Sequence, residues 1–160
     1  MAETGAASTA GEPSDEPTRG LIVVGVDGSQ LSIAALRYAG RLAEGLGCTI
    51  EAVAAWQYHM ALGTFTPLDW TPEEDTRELL DQAVREAFGS DPPAGLRRTV
   101  RQGHAASVLA EAGAGAEMLI VGSRGHGGIA GMLLGSVSYS VSARARCPVL
   151  VMHQQPALEE

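Results

Sequence analysis

Residues 116–137 read AEMLIVGSRGHGGIAGMLLGSV, and the fold turns on how this stretch is read. Met118 to Val121 is a short apolar run that suits a buried strand, and it stops abruptly at Gly122. Six glycines follow, at 122, 125, 127, 128, 131 and 135, interrupted by Ser123, Arg124 and His126. Ser136 then stands where a helix can begin, as its cap, with Val137 and Val141 four residues apart on one face. The order is strand, glycine loop, helix start. Glycines let the main chain approach a ligand without a Cβ in the way. The unpaired N–H groups and dipole of a helix start make an anion site, and successive loop amides can form a similar nest. A glycine-rich loop also serves as a plain surface connection; the strand before it and the hydroxyls of Ser136 and Ser138 favour the anion site.

Moving outward to the amino side, Leu21–Val26 (LIVVGV) is a continuous apolar run, the pattern of a central strand covered on both faces. It ends at Asp27-Gly28-Ser29, a carboxylate at a strand end, a turn glycine and a good N-cap. Asp27 either caps the next helix or faces a ligand, because open α/β sheets bind ligands at strand carboxyl ends. The helix that follows carries Ala35, Leu36, Ala39, Ala43 and Leu46 at helical spacing and is closed by Gly47. Ile50–Trp56 is a second strand. The long stretch Gln57–Trp70 after it is expected to cover part of a pocket. Lone histidines such as His59 and His104 are more often solvated than ligand contacts.

Thr71-Pro72-Glu73-Glu74 reads as a capping box with proline at the first helical position. The helix it opens has Leu79, Leu80, Ala83, Val84, Ala87 and Phe88 on one side. Leu96–Arg101 (LRRTVR) alternates like an exposed or edge strand, whose arginines either meet acidic partners or protect the edge. A short helix, Ala105 to Gly113, leads to the opening stretch, and Cys147–Met152 makes a fifth strand whose proline suits its start. Strands and helices alternate throughout, which predicts a parallel sheet with helices on both faces. If the first and fourth strands are neighbours where strand order reverses, Asp27 and the glycine loop share one crevice.

Composition narrows the functions. At 160 residues the chain is sized for one domain, able to bury about two-thirds of its unfolded surface. Apolar residues make up 45% with two Phe, two Trp and three Tyr, so the core is mostly Ala, Val, Leu and Ile. The net charge is −8, of which residues 1–19 supply −3, and an acidic chain without a basic run is a poor nucleic-acid binder. All eleven basic residues are Arg, which excludes Walker-type and Schiff-base lysines. Cys48 and Cys147 form neither a disulfide framework nor a metal set and are expected to be small buried residues. Residues 1–19, rich in Ala, Gly, Ser, Thr, Pro and Glu, are expected to be a disordered acidic tail, with residues 20–155 as the single domain. No apolar run reaches the length of a membrane span and no signal sequence stands at the start, so the expectation is a soluble, cytoplasmic chain.

The residues now resemble a known family. Gly122-x-x-Gly125, nine residues, then Gly135-Ser136 is similar to the pattern that marks the ATP-binding branch of the universal stress protein family. VGVDGS with Ser32 and Ala35-Leu36 resembles that family's opening, and Cys147-Pro148-Val149-Leu150-Val151 its last strand. The likeness runs from about Gly20 to His153. It implies a five-stranded, Rossmann-like parallel sheet in the order 3-2-1-4-5, of the adenine nucleotide alpha hydrolase-like kind. It implies a usually dimeric chain with ATP, with or without Mg²⁺, or a related adenine nucleotide in the crevice; strand five (Val149 to Met152), as an edge, could pair with its mate in a homodimer. By the same likeness Asp27, with Gly28 and Ser29, lies near ribose and phosphates, and the main chain of Ala55 meets adenine. Val121 and Gly122 border the ribose, while Gly125, Gly135, Ser136, Val137 and Ser138 wrap the phosphates. Arg124 and His126 occupy loop places that the pattern leaves free and join the candidate set. Three functions follow: a nucleotide-binding regulatory protein of the stress response; a slow ATP hydrolase, with Asp27 or His126 orienting water; or a dimeric interaction module whose pocket is incidental. No catalytic residue and no protein metal ligand is assigned.

Overall fold

A computed structural model describes residues 20–58, 71–126 and 133–154. The acidic stretch 1–19, His59 and most of the long connection after the second strand lie outside the described residues, as do Gly127, Gly128 and Gly131. Five strands alternate with four helices: β1 (Leu21–Gly25), α1 (Gln30–Leu46), β2 (Thr49–Trp56), α2 (Pro72–Phe88), β3 (Arg97–Gln102), α3 (Ala105–Ala112), β4 (Met118–Gly122), α4 (Ser136–Arg144) and β5 (Val149–Met152). All four strand pairings are parallel, in the order β3-β2-β1-β4-β5.

The apolar runs explain the layering. β1 is buried on both faces because alternate residues go to opposite sides. Ile22 and Val24 pack with Ile33, Leu36, Leu80 and Val84 of α1 and α2. Val23, with Leu119 and Val121 of β4, packs with Val108 and Leu109 of α3 and Val141 of α4. Close helix packing requires small residues. A Cβ on Gly40 of α1 would come 2.8 Å from Cε1 of Phe88 in α2.

Several local expectations are corrected. Leu46 is exposed, because the last turn of α1 overhangs the core before Gly47 closes it at φ 67°. The capping box at Thr71 does not form; the hydroxyl donates to Oε2 of Glu74 at 2.7 Å and caps no amide. Pro72 does open α2. Cys48 and Cys147 are partly exposed rather than buried, and the fifth strand begins at Val149, beyond the proline. Two of the three arginines of β3 pair within the chain. Arg97 pairs with Glu51 at 3.1 Å and Arg98 with Asp81 at 3.2 Å. Glu51, only 8% exposed, also accepts from Oγ1 of Thr99 at 2.6 Å. This buried carboxylate ties β2 to its edge strand.

Candidate functional site

β1 leads to β2 on one side and lies beside β4 on the other, so strand order reverses between β1 and β4. A crevice of about 290 Å³ opens above this point, where an open α/β sheet leaves room for a ligand. Its walls come from two remote segments, the turn after β1 and the loop and helix after β4.

Asp27 stands at the mouth. One carboxylate oxygen accepts from the Ser29 amide at 3.0 Å and the other from the His126 amide at 3.3 Å, so it links the two walls. Crowding by those walls would alone push the carboxyl up. Hydrogen bonds from Ser29 (side chain and main chain) and Ser32, with the attraction of His126, outweigh this and hold the pKa below its ordinary 3.8. Asp27 therefore stays anionic at neutral pH and is an acceptor only. Gly28 makes the turn at φ 79° and lines the adjoining groove rather than the crevice. Ser29 lines the crevice and caps α1, its side chain accepting from the Ser32 amide at 3.2 Å.

The other wall is built on Ser123, which is 2% exposed. Its amide donates to the Met152 carbonyl at 2.7 Å, tying the end of β4 to β5. Its carbonyl accepts from the Gly135 amide at 2.7 Å and from the Ser138 hydroxyl at 2.8 Å, so the loop returns to its own start. These bonds make Gly135, not Ser136, the N-cap of α4, and the helix has no side-chain cap. The amides of Ser136, Val137 and Ser138 consequently lack intrahelical acceptors, and all three residues line the crevice. Val137 is at the exposed rim while Val141 is buried, so the two do not share a buried face. Two glycines are required sterically. A Cβ on Gly125 would collide with the Asp27 carboxylate, and one on Gly122 would come 2.9 Å from Cβ of Leu31. At Gly135 a Cβ would meet nothing nearer than 3.5 Å.

The inner end is apolar, lined by Val26, Val53, Ala55, Ala105, Leu109 and Val121. The Val26 amide donates to the Val53 carbonyl at 2.8 Å, one step beyond the last paired residues of β1 and β2. Main-chain groups alternate sides along a strand; Trp56 accepts from Gly103 on the β3 side. The amide and carbonyl of Ala55 thus face past the end of β1 toward the crevice.

Twelve of the thirteen sequence candidates line this crevice, Gly28 being the exception. Gly25, Val26, Ser32, Val53, Ala105, Leu109 and Leu134 also line it and were missed. Some signal existed: Val53 is two residues from Ala55 on a strand, and Ala105 and Leu109 are four apart on a helix. Among the described residues no cluster of His, Cys, Asp or Glu could by itself hold a metal ion, and no helix is long and apolar enough to cross a membrane.

The profile of the universal stress protein family matches residues 19–153. The chain belongs to that family. Universal stress protein Rv2005c of Mycobacterium tuberculosis is 36% identical over 141 residues, covering 87% of this chain and 47% of the relative. Rv2623 of the same organism is 32% identical over 142 residues, covering 86% and 46%. The chain thus spans about half the length of the curated relatives it matches. A solved universal stress protein in complex with cAMP is 26% identical with a TM-score of 0.63, covering 84% of this chain and 97% of that one. One from Archaeoglobus fulgidus, in complex with dAMP, shares the fold at a TM-score of 0.56 and 18% identity, covering 84% and 97%.

Proposed function

We propose that this universal stress protein domain binds an adenine nucleotide, ATP with Mg²⁺, and that occupancy of the crevice is a regulatory signal read by partners in the stress response. The observation that carries the reading is the uncapped start of α4 facing Asp27 across one crevice. Phosphate oxygens would accept from the amides of Ser136, Val137 and Ser138, which substitute for the absent lysine. Asp27, an acceptor with a lowered pKa, suits the hydroxyls of a ribose. The apolar inner end has room for a flat base, whose edge would meet the donor and acceptor of Ala55. The universal stress protein that carries cAMP supports the same ligand class. Mg²⁺ would arrive on the triphosphate, which supplies much of its coordination and asks no cage of side chains.

Binding suits this site better than turnover. A carboxylate with a lowered pKa is a weak base, suited to accepting hydrogen bonds rather than removing a proton from water. A micromolar nucleotide requires about 8 kcal/mol, within reach of several amides, hydroxyls and a buried base. At a hundredfold excess over Kd it adds about 2.7 kcal/mol of stability, or roughly 5–10 °C in Tm for a domain of this size. A thermal shift with ATP and Mg²⁺ tests this: a rise of that order supports the reading, and an unchanged Tm with no calorimetric heat contradicts it.

A dimeric interaction module is the companion reading. β5 is an edge strand, and its four residues Val149–Met152 are only partly covered. Pairing with a second copy would remove that apolar edge.

A further inference from the structure

We propose that His126 makes phosphate binding in the crevice depend on pH, the protonated ring turning the phosphate end from neutral to cationic. This rests on the adenine-nucleotide reading above and specifies how that site is regulated.

The argument starts from a shortage of charge. The chain has no lysine, and among the described residues the charged or titratable side chains lining the crevice are Asp27, Arg124 and His126. Asp27 is held anionic by its hydrogen bonds, and Arg124 brings one guanidinium of opposite charge to the same lining. These two cancel. The sign of the site is then decided by His126, and histidine is the side chain whose ordinary titration falls between pH 5 and 8.

Position strengthens the case. His126 also lines a second groove, of about 330 Å³, which Gly28, Ile33 and residues of α2 complete. From α2 that groove presents three carboxylates, Asp75, Glu78 and Glu86. Gln30 donates to Glu86 at 3.2 Å. Within the crevice His126 shares the lining with Asp27 and Ser29 from the turn after β1, Arg124 from its own loop, and Ser136 and Ser138 from α4. A polyphosphate entering the crevice therefore meets negative charge there and in the adjoining groove, which a charged ring at His126 joins Arg124 in offsetting. The bond to Asp27 uses the main-chain amide of His126, so changing the side chain does not remove the link between the two walls.

The test is isothermal titration calorimetry of the full chain with ATP from pH 5.5 to 8.5, for wild type, His126→Gln and His126→Arg. The glutamine variant reports the nucleotide's own phosphate titration. Relative to it, wild-type affinity is expected to fall about tenfold across the range, the size of one charge-assisted contact. His126→Arg is expected to stay at the tight end, with the slope of the glutamine variant. Adenosine, which lacks phosphate, is expected to bind all three equally at every pH. Linkage also requires the wild-type ring resonance missing from His126→Gln to titrate about one pH unit higher with ATP bound. Parallel wild-type and His126→Gln profiles with an unmoved ring titration would overturn the role of His126 alone. Absence of binding by ATP and adenosine at every pH would overturn this proposal together with the nucleotide reading.

Discussion

At the scale of single residues, Asp27 and the two glycines around it separate structural need from ligand need. Gly125 faces the Asp27 carboxylate with no space for a Cβ, whereas Gly135 meets only ordinary contacts. Gly125→Ala is therefore expected to displace Asp27 and lower both stability and ATP affinity. Gly135→Ala has extended backbone angles that alanine adopts and is expected to cost about 1 kcal/mol or less of stability yet at least tenfold in ATP affinity. Urea melts and calorimetry on the same two variants check this; equal loss of stability in both would contradict it. Asp27 gives a prediction with a definite sign. Its folded pKa lies below its ordinary 3.8, so its contribution to stability is present above that value and is lost as pH falls through the lower folded value. The deficit of Asp27→Asn relative to wild type is expected at pH 7 and should shrink as the pH is taken down below 3.8, measured by urea midpoints. Asp27 was legible in the sequence as a carboxylate ending an apolar run. The cap of α4 was not, because the choice of Gly135 over Ser136 is made by the carbonyl of Ser123, whose approach no local pattern reports.

At the scale of elements, hydrogen bonds between segments decide what propensity leaves open. The helix at Thr71 begins where Pro72 dictates, although the reciprocal capping bonds do not form and the hydroxyl is drawn to Glu74 instead. In the same way LRRTVR read as an edge strand from its alternation, while the partner that fixes its register, Glu51, sits inside the apolar run of β2 and was invisible as a partner. Glu51 accepts from Thr99 at 2.6 Å and from Arg97 at 3.1 Å. Glu51→Ala is expected to destabilise the domain by about 1–2 kcal/mol, since Thr99 loses its acceptor while Arg97 can turn to water. Hydrogen exchange of β3 amides should rise more than that of β1 amides; uniform change across the sheet would contradict the local role.

At the scale of the whole molecule, alternation of strand and helix was enough to specify a parallel sheet with helices on both faces, but the strand order came from family likeness, because spacing along a chain does not say which strands become neighbours. That order joins two segments a hundred residues apart at the crevice, and it leaves β5 on an edge. The carbonyls of Pro148 and Met152 face β4, so by alternation Val149 and Val151 turn their main-chain groups outward. Val151→Pro removes an outward donor and leaves the β4 ladder intact. Sedimentation is expected to show a dimer for wild type and a folded monomer for Val151→Pro; a monomeric wild type at micromolar concentration would contradict the edge pairing. The central claim is that one crevice takes the base at Ala55 and the phosphates at the start of α4. Its most direct test is an amide-resolved ¹H–¹⁵N titration of the full chain with ATP and Mg²⁺. The account predicts saturable shifts at Ala55, Gly135, Ser136, Val137 and Ser138 together. Shifts confined to the α2 groove, or none at these five amides at saturating nucleotide, would contradict it.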